Sequence, residues 1–399
     1  MNNNVYLPSK PRYEILDGLR GVAAMFVVAF HLFETYYHCG PDQPVNHGYL
    51  AVDFFFMLSG FVIGYAYDDR WDRMSVRSFV KRRLIRLHPM VIFGSLFGAL
   101  MFYFGSCGAF PVIGDTPWYM VLAVMFWAFT MIPMPTSMDI RGWSETNPLN
   151  GPAWSLQWEY LANILYAFVF RHLSKVSLSV FVAIFAAMTV VLCLNIDVTG
   201  LLASRDYASY TVMGGWSLTP GQLQVGITRL LYPFFCGLLV SRLNLRIKVR
   251  GGFWWCSLMI AILLCMPWMG IGTEGNSRWT NGLYEAACII FLFPVIVMMG
   301  AGSSVRGGKS ETFNKFLGDI SYPIYITHYP FIYAHMAWAD NNKDAPLATH
   351  ISVAVGIFFL AVFVAYASYR LYDMPVREWL RKRCFKSGGV ESSHQNPVV

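Results

Sequence analysis

The chain has 399 residues, of which 56% are hydrophobic and only 13% charged, with a formal net charge of +7. A water-soluble protein carries about 25% charged residues. This balance, with a mean hydropathy of +0.44, therefore excludes an ordinary soluble domain and predicts an all-α, polytopic transmembrane helical bundle. The basic excess lies in a few short loops, so it argues for a lipid bilayer and against nucleic acid as a partner. The eight cysteines show no metal-ligand spacing, and Cys193, Cys236, Cys265 and Cys288 fall in apolar runs. They read as small core residues, and no metal is expected.

In chain order, apolar runs of span length lie at about 15–36, 48–67, 89–106, 117–133, 153–170, 177–195, 225–241, 253–270, 281–300, 317–338 and 350–372. The first has no A-x-A-like exit and further runs follow it, so it reads as a span and not as a cleaved leader. Basic clusters punctuate the series. They are Lys10/Arg12; Arg77, Lys81, Arg82, Arg83 and Arg86; Arg242, Arg246, Lys248 and Arg250; Arg306, Lys309 and Lys315; and Arg377, Arg381, Lys382, Arg383 and Lys386. The positive-inside rule places all five on the cytoplasmic side, with both termini inside. Five apolar runs separate the second cluster from the third, and both can be inside only if an even number of them cross. One run between about 117 and 170 must fall short, next to the Pro- and Gly-rich stretch from Pro133 to Pro152. The expectation is ten crossings plus one re-entrant or interfacial piece. The divisions are a cytoplasmic segment 1–14, a transmembrane domain 15–380 and a basic, then polar, tail 381–399, with loops 196–224 and 271–280 facing outward.

Five constellations place polar chemistry inside this apolar frame. Arg20 and His31 share the first span, and a charge at the centre of such a helix costs about 2.5–3.5 kcal/mol. Eleven positions at about 100° each return the helix to within about 20° of one face, about 16 Å further along. The plain alternative is a snorkelling Arg and a His bonded into the bundle. Glu34, one turn beyond His31, either orients the imidazole or is a solvated residue at the helix end. Asp53, set among Phe54, Phe55, Phe56 and Leu58, needs a partner, for which Arg20 and His31 are the nearest candidates, in a structural ion pair as readily as in a catalytic contact. The fork Arg82, Arg83 and Arg86 suits a phosphorylated ligand, but is also what an ordinary positive-inside loop contains. Ser155 and Glu159 share a helix face where the fifth run begins, with Ser155 alternatively a cap. Tyr325 and His328 lie in the run Leu317–Pro330, followed by a helix-distorting proline.

Taken together, these motifs resemble those of the integral-membrane acyltransferase family 3. Its hallmark is an Arg or Lys, ten residues, then a His in the first span, here Arg20 and His31. Asp53-Phe54-Phe55-Phe56 with Leu58-Ser59-Gly60-Phe61 is similar to its second-helix signature. Arg82-Arg83-Leu84-Ile85-Arg86-Leu87 with Pro89 is similar to its basic motif, although His88 stands where an aromatic is commoner. Trp154-Ser155-Leu156 with Glu159, and Leu317-Gly318, Ser321-Tyr322, Tyr325 and His328 with Pro330, match its later motifs. Tyr372-Asp373 with Pro375 and Arg377 resembles the closing motif, with Asp for the usual Glu. The resemblance covers about residues 13–380.

The resemblance implies an O-acyltransferase of a bacterial inner membrane. It would move an acyl group, most often acetyl, from cytoplasmic acyl-CoA to a hydroxyl of a carbohydrate or lipid-linked glycan. Acetyl-CoA would be a donor, and no cofactor is expected to stay bound. On this reading Arg82, Arg83 and Arg86 hold the CoA phosphates and Arg20 steadies the donor or the developing charge. His31 is the general base, a role imidazole fills well at neutral pH. Glu159 or Asp53 positions the imidazole or the acceptor hydroxyls, and Ser155, Tyr325 and His328 contact substrate. The competing readings are acylation of a small secreted or secondary metabolite, a transporter or lipid flippase, and a sensor that keeps the fold without the chemistry. No repeat symmetry between halves favours a transporter. Retention of Arg20, His31 and Glu159 argues against a sensor.

Overall fold

The computed structural model describes residues 10–37, 40–271, 277–305 and 307–385. Arg306, Lys386, the first nine residues, the polar tail and residues 272–276 of the 271–280 loop lie outside the described residues. Among those described the chain is helical, and no strand forms. An apolar chain in lipid has to satisfy its backbone internally, and helices do so locally.

The first helices are α1 (Glu14–Tyr37), α2 (Ala51–Tyr67), α3 (Val76–Met101), α4 (Trp118–Ala128) and α5 (Trp154–Phe168). Next come α6 (Lys175–Cys193), α7 (Pro220–Leu243) and α8 (Gly252–Cys265). Helix α9 (Trp279–Ala287) runs through a π-helical turn, Cys288–Leu292, into α10 (Phe293–Gly302). The last are α11 (Gly308–Thr327), α12 (Tyr329–Asn341), α13 (Leu347–Ser368) and, after a second π turn at Tyr369–Asp373, α14 (Met374–Cys384). Local signals set several ends. The Ser75 and Ser174 hydroxyls accept the Ser78 and Ser177 amides at the starts of α3 and α6. Pro220 opens α7, and Asn244 closes it in the left-handed region at φ 53°.

Among the described residues, seven helical stretches are long and apolar enough to cross a membrane. They begin at Glu14, Gly48, Val76, Lys175, Pro220, Trp279 and Leu347. The expected runs at 117–133 and 253–270 form shorter apolar helices, and the run at 317–338 divides into α11 and α12 at His328. At about 1.5 Å per residue α4 is about 16 Å long, roughly half the hydrocarbon thickness, so it is short for a crossing.

The most extensive helix pairs are α2 with α7 and α1 with α11. Small residues make them possible: a Cβ on Gly237 would lie 2.0 Å from the Met57 carbonyl oxygen, and one on Gly21 would lie 2.3 Å from that of Leu317. The basic clusters gather at one end of the bundle, tied by a few polar contacts. Lys10 pairs with Asp69 and Arg242 with Asp68, both at 2.7 Å, and Lys81 donates to the Cys384 carbonyl at 3.3 Å. Lys315 shares a hollow with Arg12, Arg86 and Arg377. We call this end the basic face.

The connection 139–153 and the loop 197–219 close over the opposite end, each pinned by a buried arginine. Arg141 donates from Nε to the Pro148 carbonyl and lies 3.4 Å from the Tyr333 ring centroid. Arg205 donates to the Met213 carbonyl at 2.5 Å.

Candidate active site

Two cavities of about 320 and 330 Å³ lie back to back in the bundle, and Val52 and Tyr325 line both. The first faces the closed-over end. Its walls are largely aromatic, with Phe30, Tyr49, Trp154, Trp216 and Tyr329, and its polar groups are His31, Glu34, Glu145 and Arg229. The second faces the basic end and holds Asp17, Arg20, Ser59, Arg83, Arg86, Ser155 and Glu159.

His31 comes from α1. Its Nδ1 meets the Glu34 carboxylate at 2.6 Å, which leaves Nε2 as the basic nitrogen of the neutral ring. Of the two readings of Glu34, the structure supports the orienting one. Tyr329 sets its ring edge against the imidazole at 4.7 Å, and His328 stacks beside it at 5.5 Å. These contacts restrict the ring to one orientation.

His328 itself is fully buried and lines neither cavity. Its Nδ1 is bonded to the Ile324 carbonyl one turn back at 2.9 Å, where α11 gives way to α12. The expected substrate contact at His328 is corrected to packing behind His31. Tyr325 and Ser155 stand where the cavities adjoin, their hydroxyls 2.7 Å apart. Ser155 also donates to the Pro152 carbonyl at 3.0 Å.

The carboxylates need a larger correction. Asp53 is fully buried and pairs with neither Arg20 nor His31. Arg229 of α7 grips it with Nε at 3.2 Å and Nη2 at 2.7 Å, and donates further to the Gly214 and Tyr49 carbonyls. Helix α2 packs far more on α7 than on α1, so the partner comes from the helix it touches most. A buried ion pair so saturated holds structure. It is not positioned to steer an imidazole.

Glu159 is likewise on the wrong side for that task. Its Oε1 accepts from Arg83 at 2.8 Å and Ser59 at 2.6 Å within the basic-face cavity. Arg20 is in the same cavity, 3.6 Å from Asp17. Arg20 and His31 thus lie on one stripe of α1 yet serve different chambers.

The expected three-arginine fork is split. Arg83 and Arg86, three positions apart, share a face and the cavity. Arg82, one position and about 100° away, turns instead onto the Phe385 ring at 4.2 Å.

Two polar residues of the first cavity, Arg229 and Glu145, do not stand among the constellations visible in the sequence. Arg229 carried the signal that exposed Arg20, a charge in the middle of an apolar span. Glu145 carried none, because it sits in a polar connection where a carboxylate has no visible cost. The fold buries it, and Tyr333 donates to its Oε2 at 2.7 Å. Burial pushes its carboxyl up to about 7, against the lowering effects of the Tyr333 hydrogen bond and of Arg141. Among the described residues no group of His, Cys, Asp and Glu is arranged to hold a metal ion.

A family profile described as an acyltransferase domain matches residues 13–370. The chain belongs to this acyltransferase family. It is 32% identical over 168 residues to protein 2 in the picA locus of Rhizobium radiobacter, covering 39% of this chain and 81% of that protein. It is 27% identical over 177 residues to the acyltransferase MdmB of Streptomyces mycarofaciens, covering 42% of each. It is 22% identical over 397 residues to the peptidoglycan O-acetyltransferase OatA of Listeria monocytogenes, covering 94% of this chain and 56% of that protein. The chain thus spans about half the length of the latter two relatives. No solved structure matches it.

Proposed function

We propose that this membrane acyltransferase takes an acetyl group from acetyl-CoA at its basic, cytoplasmic face and esterifies a hydroxyl of a saccharide in the opposite cavity. One observation carries the reading: a cationic chamber and a His–carboxylate chamber meet at Tyr325. The donor side needs cations for a polyanionic carrier, which Arg20, Arg83 and Arg86 offer. The acceptor side needs apolar planes with a few polar groups, which Trp154, Trp216 and Tyr49 provide together with Glu34 and Glu145. That OatA is a peptidoglycan O-acetyltransferase supports an envelope saccharide as acceptor and a bacterial inner membrane as the setting.

The chemistry follows from the His31–Glu34 geometry. As the acceptor oxygen attacks the thioester carbonyl, His31 Nε2 takes its proton, and Glu34 stabilises the imidazolium through Nδ1. The tetrahedral intermediate collapses with cleavage of the carbon–sulfur bond. The imidazolium proton then neutralises the departing thiolate. The Tyr325 hydroxyl, at the mouth between the cavities, turns away from Ser155 and the Pro152 carbonyl to donate to the oxyanion.

The test is transfer of labelled acetyl from acetyl-CoA to a peptidoglycan fragment by the purified protein. His31→Ala should lower the rate about 10²–10⁴-fold while the protein stays folded. Wild-type transfer by that variant would sink the assignment.

A further inference from the structure

Beside the donor chamber the basic face holds a third cavity of about 320 Å³, which shares Arg12, Asp17, Val62, Ala66 and Tyr67 with it as walls. Four guanidinium groups from four separate parts of the chain converge there. Arg12 precedes α1, Arg70 follows α2, Arg82 is in α3 and Arg381 in α14. Lys10 also lines it but is held by Asp69 and the Tyr65 carbonyl, each at 2.7 Å. Among the described residues a single carboxylate, Asp17, faces the hollow, and it is shared with Arg20 at 3.6 Å. The floor is aromatic: Phe385 is buried beneath the Arg82 guanidinium, and Tyr67 stands at the passage to the donor chamber.

Like charges gathered from four segments repel one another unless an anion sits among them. Guanidinium forks match phosphate oxygens, and Tyr67, which lines both cavities, offers an aromatic face for a planar base. The split of the α3 arginines has a direct consequence here. Arg83 and Arg86 look into the donor chamber while Arg82 looks into this one, so α3 presents cations to two adjoining subsites.

We propose that this third cavity binds the nucleotide end of the donor, a 3′-phosphorylated adenosine diphosphate, while the adjoining chamber takes the thioester-bearing pantetheine arm. The proposal rests on the acyl-CoA reading above. The same phosphate chemistry could come from an acidic lipid headgroup, and the experiment separates the two sources.

The measurement is equilibrium binding of CoA and of pantetheine, which lacks the nucleotide, to the full chain in nanodiscs of zwitterionic lipid, with and without added phosphatidylglycerol. Wild-type protein should bind CoA at least about a hundredfold more tightly than pantetheine. Arg70→Gln and Arg381→Gln should each weaken CoA about tenfold and leave pantetheine unchanged, which also shows that the variants are folded. Arg381→Lys should restore part of the loss, and phosphatidylglycerol should leave CoA affinity within about twofold. Equal binding of CoA and pantetheine by wild type, with phosphatidylglycerol retained through these arginines, would assign the cavity to lipid and overturn the proposal. Unchanged CoA binding in both variants, or parallel loss of CoA and pantetheine, would overturn it while leaving the donor reading intact. Binding of neither ligand by wild type would overturn the donor reading itself.

Discussion

At the scale of single residues, the catalytic proposal depends on His31 being held by Glu34. Replacing Glu34 by Gln keeps a hydrogen-bond partner but removes the charge that stabilises an imidazolium. The expected outcome in steady-state kinetics is a fall in kcat of about 10²-fold or more, with KM for acetyl-CoA changing far less. Glu145 makes a separate, pH-dependent prediction. Its folded carboxyl holds a proton up to about pH 7, whereas its ordinary value is 4.5. The stability this contributes is fully present below pH 4.5 and is lost as the pH rises through about 7. The displacement amounts to no more than about 3 kcal/mol. Glu145→Gln, neutral at every pH, should therefore flatten the fall in thermal midpoint between pH 5 and 8. Identical pH slopes for the two proteins would show that Glu145 is not the titrating group. Arg20 and His31 were legible in the sequence because a charge in an apolar helix is conspicuous. Glu145 was not, because only the folded connection that buries it creates the cost.

At the scale of helices, the chain depends on close approach and on one buried pair. Helices α2 and α7 meet backbone to backbone at Gly60 and Gly237, where a Cβ would come within 1.8 and 2.0 Å of the Phe234 and Met57 carbonyl oxygens. Gly237→Val should prevent that contact and cost several kcal/mol, seen as lost monodispersity in detergent or a collapsed thermal midpoint. The same helices are bridged by Asp53 and Arg229. Asp53→Ala leaves a buried guanidinium and should cost about 3–5 kcal/mol, whereas the double replacement Asp53→Leu with Arg229→Met should recover much of the loss. If the double variant is as unstable as the single one, the pair is not the source of the effect. Helix positions followed from apolar runs, because a run of span length has few other folds in lipid. Helix neighbours did not follow, since the partner of Asp53 lies 176 residues away and depends on which helices pack. The same limit misplaced Glu159, whose spacing to Ser155 was visible but whose Arg83 contact was not.

At the scale of the whole molecule, the basic clusters converge on one end, and two cavities that share Val52 and Tyr325 lie one towards each end of the bundle. The sequence alone could place a cationic mouth and a buried His on one helix stripe. It could not show that the stripe crosses from one chamber into another, because that boundary is made by Val52 and Tyr325 from distant helices. The central claim is that donor and acceptor enter from opposite faces and meet at this junction. The most direct measurement uses proteoliposomes with a saccharide acceptor sealed inside, labelled acetyl-CoA supplied outside, and protein oriented with its basic face outward. Wild-type protein should label the acceptor in the lumen, and His31→Ala should do so at a rate lower by about 10²–10⁴-fold. Label appearing only on acceptor supplied to the donor's own side, or undiminished lumenal labelling by His31→Ala, would contradict the claim.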